Sequence, residues 1–382
     1  MAFRCDSESR ARLRAAFEDN FARGAECGAA VSVWQHGREV FHMEGGAADR
    51  AGRVRWDEDT AVLVWSATKG PSSACVLHAL AAAGISLDDH VAAVWPEFSV
   101  ANKSGITFRQ VLSHQAGLAA LPVHGIPADN YDAVVAAVAA MPPAWEPGTA
   151  PGYSPRLFGW ILDEICRRTS GCPLGRYWQN HFAGPAGIAF WIGLPQDHAG
   201  PVAEILSPRA VASHGERTAF ERAFSKAGSL TQAAFSTPSG NFVAAAMNRP
   251  EMRARTLPAF GGIGTARALA QFYSLAMEEG GPFGSCILNA VRARDVQGHD
   301  QVLQLETSFA GGFMLDPLQG GTKIRRIFGP EPAAFGHPGA GGSLGFADPE
   351  NGIAFAYVMN QMEHGALPRQ RTLRLVQALY GS

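Results

Sequence analysis

Ser66-Ala67-Thr68-Lys69 is the stretch of this sequence whose residue types and spacing best suit chemistry. Residues at i and i+3 share one face of a helix, so the Ser66 hydroxyl and the Lys69 amine can approach hydrogen-bond distance. One Ser-x-x-Lys arises easily by chance, and its plain meaning is a helix start with a solvated lysine. Its setting adds weight: the apolar run Ala61–Trp65 precedes it and an apolar helix over 72–83 follows. A lysine there has little water around it. Desolvation disfavours the ammonium and draws the amine down from ~10.4 toward neutrality. A neutral amine can take a serine proton, and N–H groups at the helix start face the site of attack. Ser66 is expected to be a nucleophile and Lys69 its base.

A serine and a lysine leave two needs unmet: a route for the proton to the leaving group and donors for the oxyanion. Tyr153 is the best third member. It sits in the Gly/Pro-rich loop EPGTAPGYSPRLFGW before a capped helix, where a positioned functional side chain is plausible. A core-packing tyrosine is the competing interpretation. The second constellation is His337-Pro338-Gly339-Ala340-Gly341-Gly342-Ser343. Glycines weaken a strand unless something must approach its backbone closely, and an acyl group reaching for a backbone N–H is such a thing. His337 either lines the acyl pocket or caps the strand.

Three rival sites are weaker. Ser343 lies in Gly-Gly-Ser-Leu-Gly, which matches the Gly-x-Ser-x-Gly elbow. That elbow needs a helix after it, whereas a strand-like segment follows, with Asp348 and His364 as poor partners. His114 reads as a buried structural histidine within a capped helix. His36 and His42, six apart on a hairpin, make a weak metal pair; no His-Glu-x-x-His is present and the twelve histidines lack metal-ligand spacing. No metal and no cofactor are expected.

The elements that must hold these residues follow from pattern. A first amphipathic helix carries Leu13, Phe17 and Phe21 at helical spacing. Residues 28–43 read as a hairpin turning at His36-Gly37. Gly84 stops the helix over 72–83. Thr107 with Gln110 forms a capping box, with Gly117 at the expected helix end. Residues 129–140 are helical. Ser154-Pro155 reads as an N-cap followed by proline at the first helical position, and Gly171 closes that helix. The stretch 200–260 resists assignment. Residues 265–279 are helical, strands return near 335–360, and a last helix covers about 367–380. The fold class expected is α+β: an antiparallel sheet flanked by the terminal helices (about 1–65 and 200–382) plus a helical lobe (about 70–200), with the site in the cleft between.

Composition narrows the partners. Hydrophobic residues make up 47%, charged residues 17%, and the net charge is −2. No basic stripe suits nucleic acid, and no stretch approaches the ~20 apolar residues of a membrane span. The start, MAFRCDSESRARLRAAFEDNF, shows no signal-peptide pattern. Six cysteines without a paired motif read as reduced thiols, so a cytoplasmic location is expected. Only four lysines occur (Lys69, Lys103, Lys226, Lys323), which makes each worth inspecting.

Taken together, Ser-x-x-Lys entering a helix, Tyr-Ser at 153–154, HPGAGG near the end and VLSHQAGL at 111–118 resemble the serine β-lactamase and penicillin-binding superfamily. The family VIII carboxylesterases, with class C β-lactamase architecture, are the most similar branch. That resemblance implies the same α+β fold over most of the chain. It implies Ser66 as nucleophile, Lys69 as general base, Tyr153 in proton transfer, the backbone N–H groups of Ser66 and Ala340 as oxyanion hole, and His337, Gly339 and Gly341 around the substrate. Two departures stand out. Pro155 occupies the asparagine position of Tyr-x-Asn, and His337-Pro338-Gly339 replaces Lys-Thr-Gly, so the cation and hydroxyl that grip a β-lactam carboxylate are absent. A short-chain acyl ester is therefore the expected small-molecule substrate. A β-lactamase or D-Ala peptidase-like amidase, or an acyltransferase using the same acyl-enzyme, are the alternatives.

Overall fold

Residues 353–359, IAFAYVM, show how the sheet divides the molecule. Ile353, Phe355, Tyr357 and Met359 join a buried cluster with Leu13, Phe17, Leu375 and Leu379. The alternate residues Ala354, Ala356 and Val358 join a second cluster with Leu269 and Phe272. Side chains of a strand alternate between faces, so one face carries large residues against the terminal helices and the other small residues against a closely packed helix. The computed structural model describes residues 3–122, 125–209, 217–281 and 283–381.

Eight strands form the sheet: β1 (Gly28–Gln35), β2 (Arg38–Gly46), β3 (Val296–His299), β4 (Glu306–Ala310), β5 (Phe313–Leu315), β6 (Phe335–Pro338), β7 (Leu344–Asp348) and β8 (Ile353–Met359). Their order is β2-β1-β8-β7-β6-β5-β4-β3, every neighbouring pair antiparallel. The register places Val31 opposite both Tyr357 and Met43. Helices α1 (Ser7–Ala22) and α5 (Gln370–Tyr380) cover one face. On the other lie α2 (Lys69–Ala82), α3 (Phe158–Ser170) and α4 (Ala266–Ala276). Leu375, Val376 and Leu379 of α5 are buried, each contributing about 1.5–3 kcal/mol. A small second sheet pairs Val62–Leu63 and Phe190–Ile192 with Gly262–Gly264.

The α+β class with an antiparallel sheet between terminal helices matches expectation; several boundaries differ. The helix capped by Thr107 ends at Leu112, because Ser113 turns its hydroxyl onto the Arg109 carbonyl and His114 takes φ +59. Gly117 lies beyond it, with φ +73 and no room for a Cβ beside Pro143. Helix α3 begins at Phe158; Ser154 does accept from its first N–H (3.0 Å), but three residues of turn intervene. The glycine-rich strand of HPGAGGS is a hairpin, with β6 and β7 joined by a tight turn at 339–343. Strands β3 to β5, three of the eight, had no counterpart in the sequence pattern. Residues 210–216 and 123–124, inside the loops at 200–260 and near 120, lie outside the described residues.

Candidate active site

After the short strand Val62–Leu63, the Val64 N–H donates to the Gly262 carbonyl (2.9 Å). Trp65 then takes φ +51, a left-handed conformation that costs roughly 1–3 kcal/mol in a bulky residue. The chain enters a 3₁₀ turn, Trp65–Thr68, before α2 begins at Lys69. Thr68 ties this turn to the small sheet: its hydroxyl donates to the Trp65 carbonyl and accepts from the Gly262 N–H (2.8 Å). Pro71 is the third residue of α2, in the first turn, where backbone N–H groups lack intrahelical partners anyway.

Ser66 is half-buried and Lys69 fully buried. The Lys69 amine contacts the carbonyl oxygens of Pro155 (3.0 Å) and Ala259 (2.9 Å), and Ser66 Oγ at 3.4 Å. Burial holds its pKa well below the ordinary lysine value. A neutral amine has two N–H bonds and one lone pair. The two carbonyls accept the two N–H bonds, and the lone pair is left for the serine hydroxyl.

Tyr153 is buried, with its ring centroid 4.8 Å from Lys69 Nζ. Burial pushes its phenol up, while contact with the Ser66 hydroxyl works the other way. Its backbone is fixed from two sides. The buried carboxylate of Asp300 accepts from the N–H groups of Tyr153 (3.0 Å to Oδ2), Val302 and Leu303 (2.8 Å each) and from the Thr307 hydroxyl (3.2 Å). His114 accepts on both flanks of Tyr153: its carbonyl from the Gly152 N–H (2.9 Å) and its Nδ1 from the Ser154 N–H (3.3 Å). The three-residue delay of α3 now has a cause. The Pro155 carbonyl is turned to Lys69 rather than into a helix.

The β6–β7 hairpin meets this turn from the sheet. A Cβ on Gly339 would lie 2.1 Å from the Val64 carbonyl oxygen, so only glycine lets the hairpin backbone sit against the Ser66 turn. Ala340 is half-buried, and among the described residues neither its N–H nor that of Ser66 donates to an acceptor. The His337 ring is buried, 5.9 Å from the Tyr153 ring. Its Nδ1–H donates to the Pro338 carbonyl (2.7 Å), which leaves Nε2 as a buried acceptor without a partner among the described residues. Burial first, and the Lys69 charge second, lower its pKa to about 3. Gly341 packs on Met362.

A model of the beta-lactamase family matches residues 13–379. The chain belongs to that family. It is 32% identical over 347 residues to the esterase/beta-lactamase LipL of Mycobacterium tuberculosis, covering 88% of this chain and 77% of that protein. A penicillin-binding protein homolog from Caulobacter crescentus superposes with a TM-score of 0.85 at 34% identity, covering 100% of this chain and 99% of the other. A family VIII carboxylesterase gives a TM-score of 0.84 at 32% identity, with the same coverage.

Within this beta-lactamase fold the structure brings Ser66, Lys69, Tyr153, His337, Gly339 and Ala340 together, and gives the weaker candidates other surroundings. Ser343 is fully buried, its hydroxyl without a partner among the described residues, and strand β7 rather than a helix follows it. His42 lies between Glu39 (3.4 Å) and Glu44 (3.0 Å), while His36 sits in the hairpin turn. Two other lysines are buried for structural reasons. Lys103 caps a helix by donating to the Ala139 and Met141 carbonyls, and Lys323 pairs with Asp316 at 3.0 Å. Cavities of about 450 Å³ beside Trp95 and Tyr131 and about 580 Å³ beside Leu194 and Arg253 are not lined by these site residues. Asp300 and Ala259 are the site neighbours that sequence reasoning missed. Asp300 lies in an unpatterned stretch, and Ala259 contributes only a carbonyl, which no residue type announces.

Proposed function

We propose that this chain hydrolyses short-chain carboxylic esters through an acyl-enzyme on Ser66. The observation that carries this is the Lys69 amine, buried with no carboxylate against it among the described residues, with carbonyls on two sides and Ser66 Oγ on the third. Ser66 Oγ attacks the ester carbonyl as Lys69 takes its proton. The N–H groups of Ser66 and Ala340 receive the developing oxyanion. Tyr153, beside both Lys69 and Ser66, passes the proton to the departing alkoxide. Water then repeats the sequence in reverse roles and releases the acid. The proton shared by Lys69 and Tyr153 belongs to the pair rather than to either residue. His337, Gly339 and Gly341 border the substrate. The cleft runs between a sheet-bearing lobe (about 1–65 and 200–382) and a helical lobe (about 70–200).

Esters are preferred over β-lactams because the position of the gripping cation holds a neutral, acceptor imidazole, and Pro155 offers only its carbonyl, already used by Lys69. The similar structure named a family VIII carboxylesterase supports the same choice, and the relative named esterase/beta-lactamase fits either substrate class. Six free thiols support a cytoplasmic setting, and no helix among the described residues is long and apolar enough to cross a membrane. The test is hydrolysis of p-nitrophenyl acetate and butyrate by the wild type and Ser66→Ala. A burst of p-nitrophenol lost in Ser66→Ala is expected. Full activity in that variant would overturn the nucleophile, and efficient turnover of a penicillin or cephalosporin would overturn the substrate class.

A further inference from the structure

The turn that presents Ala340 is held from behind by charged side chains that the proposed chemistry does not use. Within the turn, the Gly342 N–H donates to the Gly339 carbonyl (3.2 Å) and the Gly339 N–H to the Ser343 carbonyl (2.7 Å). Gly341 takes φ +86, which suits the second central position of a type II turn. In a planar trans peptide the carbonyl and the following N–H point opposite ways. With the Gly339 carbonyl drawn into the turn, the Ala340 N–H is directed out of it. Its direction is therefore only as fixed as the turn.

The first turn of α5 does the fixing. Arg371 Nη2 donates to the Gly341 carbonyl (2.8 Å), and the Thr372 hydroxyl donates to the Gly342 carbonyl (2.8 Å). The Glu363 N–H adds a second donor to Gly341 (3.0 Å). Arg371 is itself held: Nη1 donates to the Ala25 carbonyl (2.8 Å) and to Glu26 Oε2 (3.0 Å), and Nε faces Glu363 Oε2 at 3.8 Å. The Tyr357 hydroxyl donates to the other oxygen of Glu26. Glu26 and Arg371 are both buried, and burying an ion pair is at best a break-even choice for stability. Apolar side chains could fill the same volume, but they could not hold two carbonyls in place.

We propose that Arg371 and Thr372 are positioning residues for the oxyanion hole, clamping the Gly341 and Gly342 carbonyls so that the Ala340 N–H keeps its aim, with Glu26 fixing Arg371. The inference rests on the proposed role of the Ala340 N–H. Loss of an oxyanion donor costs about 10²–10³ in kcat, so a donor left in place but loosened should cost about tenfold. The change should fall on kcat with KM nearly constant, because the donor acts chiefly on the transition state.

The experiment compares Thr372→Val, Thr372→Ser and the charge-neutral pair Glu26→Gln/Arg371→Gln. Each is assayed with p-nitrophenyl butyrate, and separately for the rate of Ser66 labelling by diethyl p-nitrophenyl phosphate, whose phosphoryl oxygen needs the same donors. Thr372→Val, which strands the buried Gly342 carbonyl, should lose about tenfold in kcat and slow labelling comparably, while staying folded with a somewhat lowered melting temperature. Thr372→Ser, which keeps the hydroxyl, should match wild type. The paired variant should lose more. Wild-type kcat and labelling in folded Thr372→Val would overturn the proposal, whatever the paired variant does. Wild type that is labelled but does not turn over the ester would instead count against the ester assignment, and the labelling rates would still decide the positioning role.

Discussion

Ser66 Oγ lies 3.4 Å from Lys69 Nζ, on the side of the amine that the Pro155 and Ala259 carbonyls leave open. That distance is long for a hydrogen bond, as catalytic contacts often are before substrate tightens them. The arrangement fits a neutral amine: its two hydrogens are spoken for, and its lone pair faces the hydroxyl that the proposed mechanism has it deprotonate.

Acidification should therefore abolish activity. Burial lowers the Lys69 pKa, so the amine is free at high pH and protonates as pH falls through its lowered value. The same shift sets the sign for stability. The folded state binds fewer protons than the unfolded one, in which lysine titrates near 10.4, so the stability cost of Lys69 grows as pH falls from there toward the folded value. A pH–rate profile should show one acid limb, and Lys69→Ala should be as damaging as Ser66→Ala because the two act as a unit. A rate flat from about pH 5 to 9, or a Lys69→Ala variant near wild type, would point to another base.

His337 should not contribute to that limb. With its pKa lowered to about 3, its imidazole is uncharged wherever the enzyme works. His337→Gln should alter KM or acyl preference while leaving the midpoint of the acid limb in place. Movement of the midpoint by a full unit would assign the titration to His337.

Gly339→Ala should cripple the site from a distance. The added Cβ would fall 2.1 Å from the Val64 carbonyl oxygen, so the hairpin must move off the Ser66 turn. Overpacking of this kind costs about 1–3 kcal/mol, and the displaced Ala340 N–H should lower kcat at least about tenfold. Thermal unfolding and kinetics on the same sample check both.

Asp300→Ala should damage stability and rate together. The carboxylate accepts from three N–H groups and one hydroxyl in a buried setting, and each stranded donor costs about 1–3 kcal/mol. Asp300→Asn, which keeps one acceptor oxygen, should fall between wild type and alanine in both melting temperature and kcat. Ser343→Ala, by contrast, removes a buried hydroxyl with no partner among the described residues and should leave kcat unchanged.

What the sequence revealed depended on whether the signal was local. The strand at 353–359, the helix over 265–279 and the His36-Gly37 turn were legible because neighbours in sequence impose them. Strands β3 to β5 were not, since Gly298 interrupts the first and all three are only three to five residues long. Ser66, Lys69 and Tyr153 stood out because lysine and tyrosine are rare in this sequence and all three lie in distinctive settings. Asp300 holds Tyr153 across 147 residues, and Arg371 holds Gly341 across 30, through backbone groups that carry no sequence signature.

The most direct measurement is a crystal structure after reaction with diethyl p-nitrophenyl phosphate. The account predicts a phosphoryl group covalently bonded to Ser66 Oγ, with its oxygen accepting from the Ser66 and Ala340 N–H groups and Lys69 Nζ within hydrogen-bond reach of Oγ. A fully labelled protein whose adduct sits on Ser343 or another residue, or an adduct on Ser66 whose oxygen points away from Ala340, would contradict it.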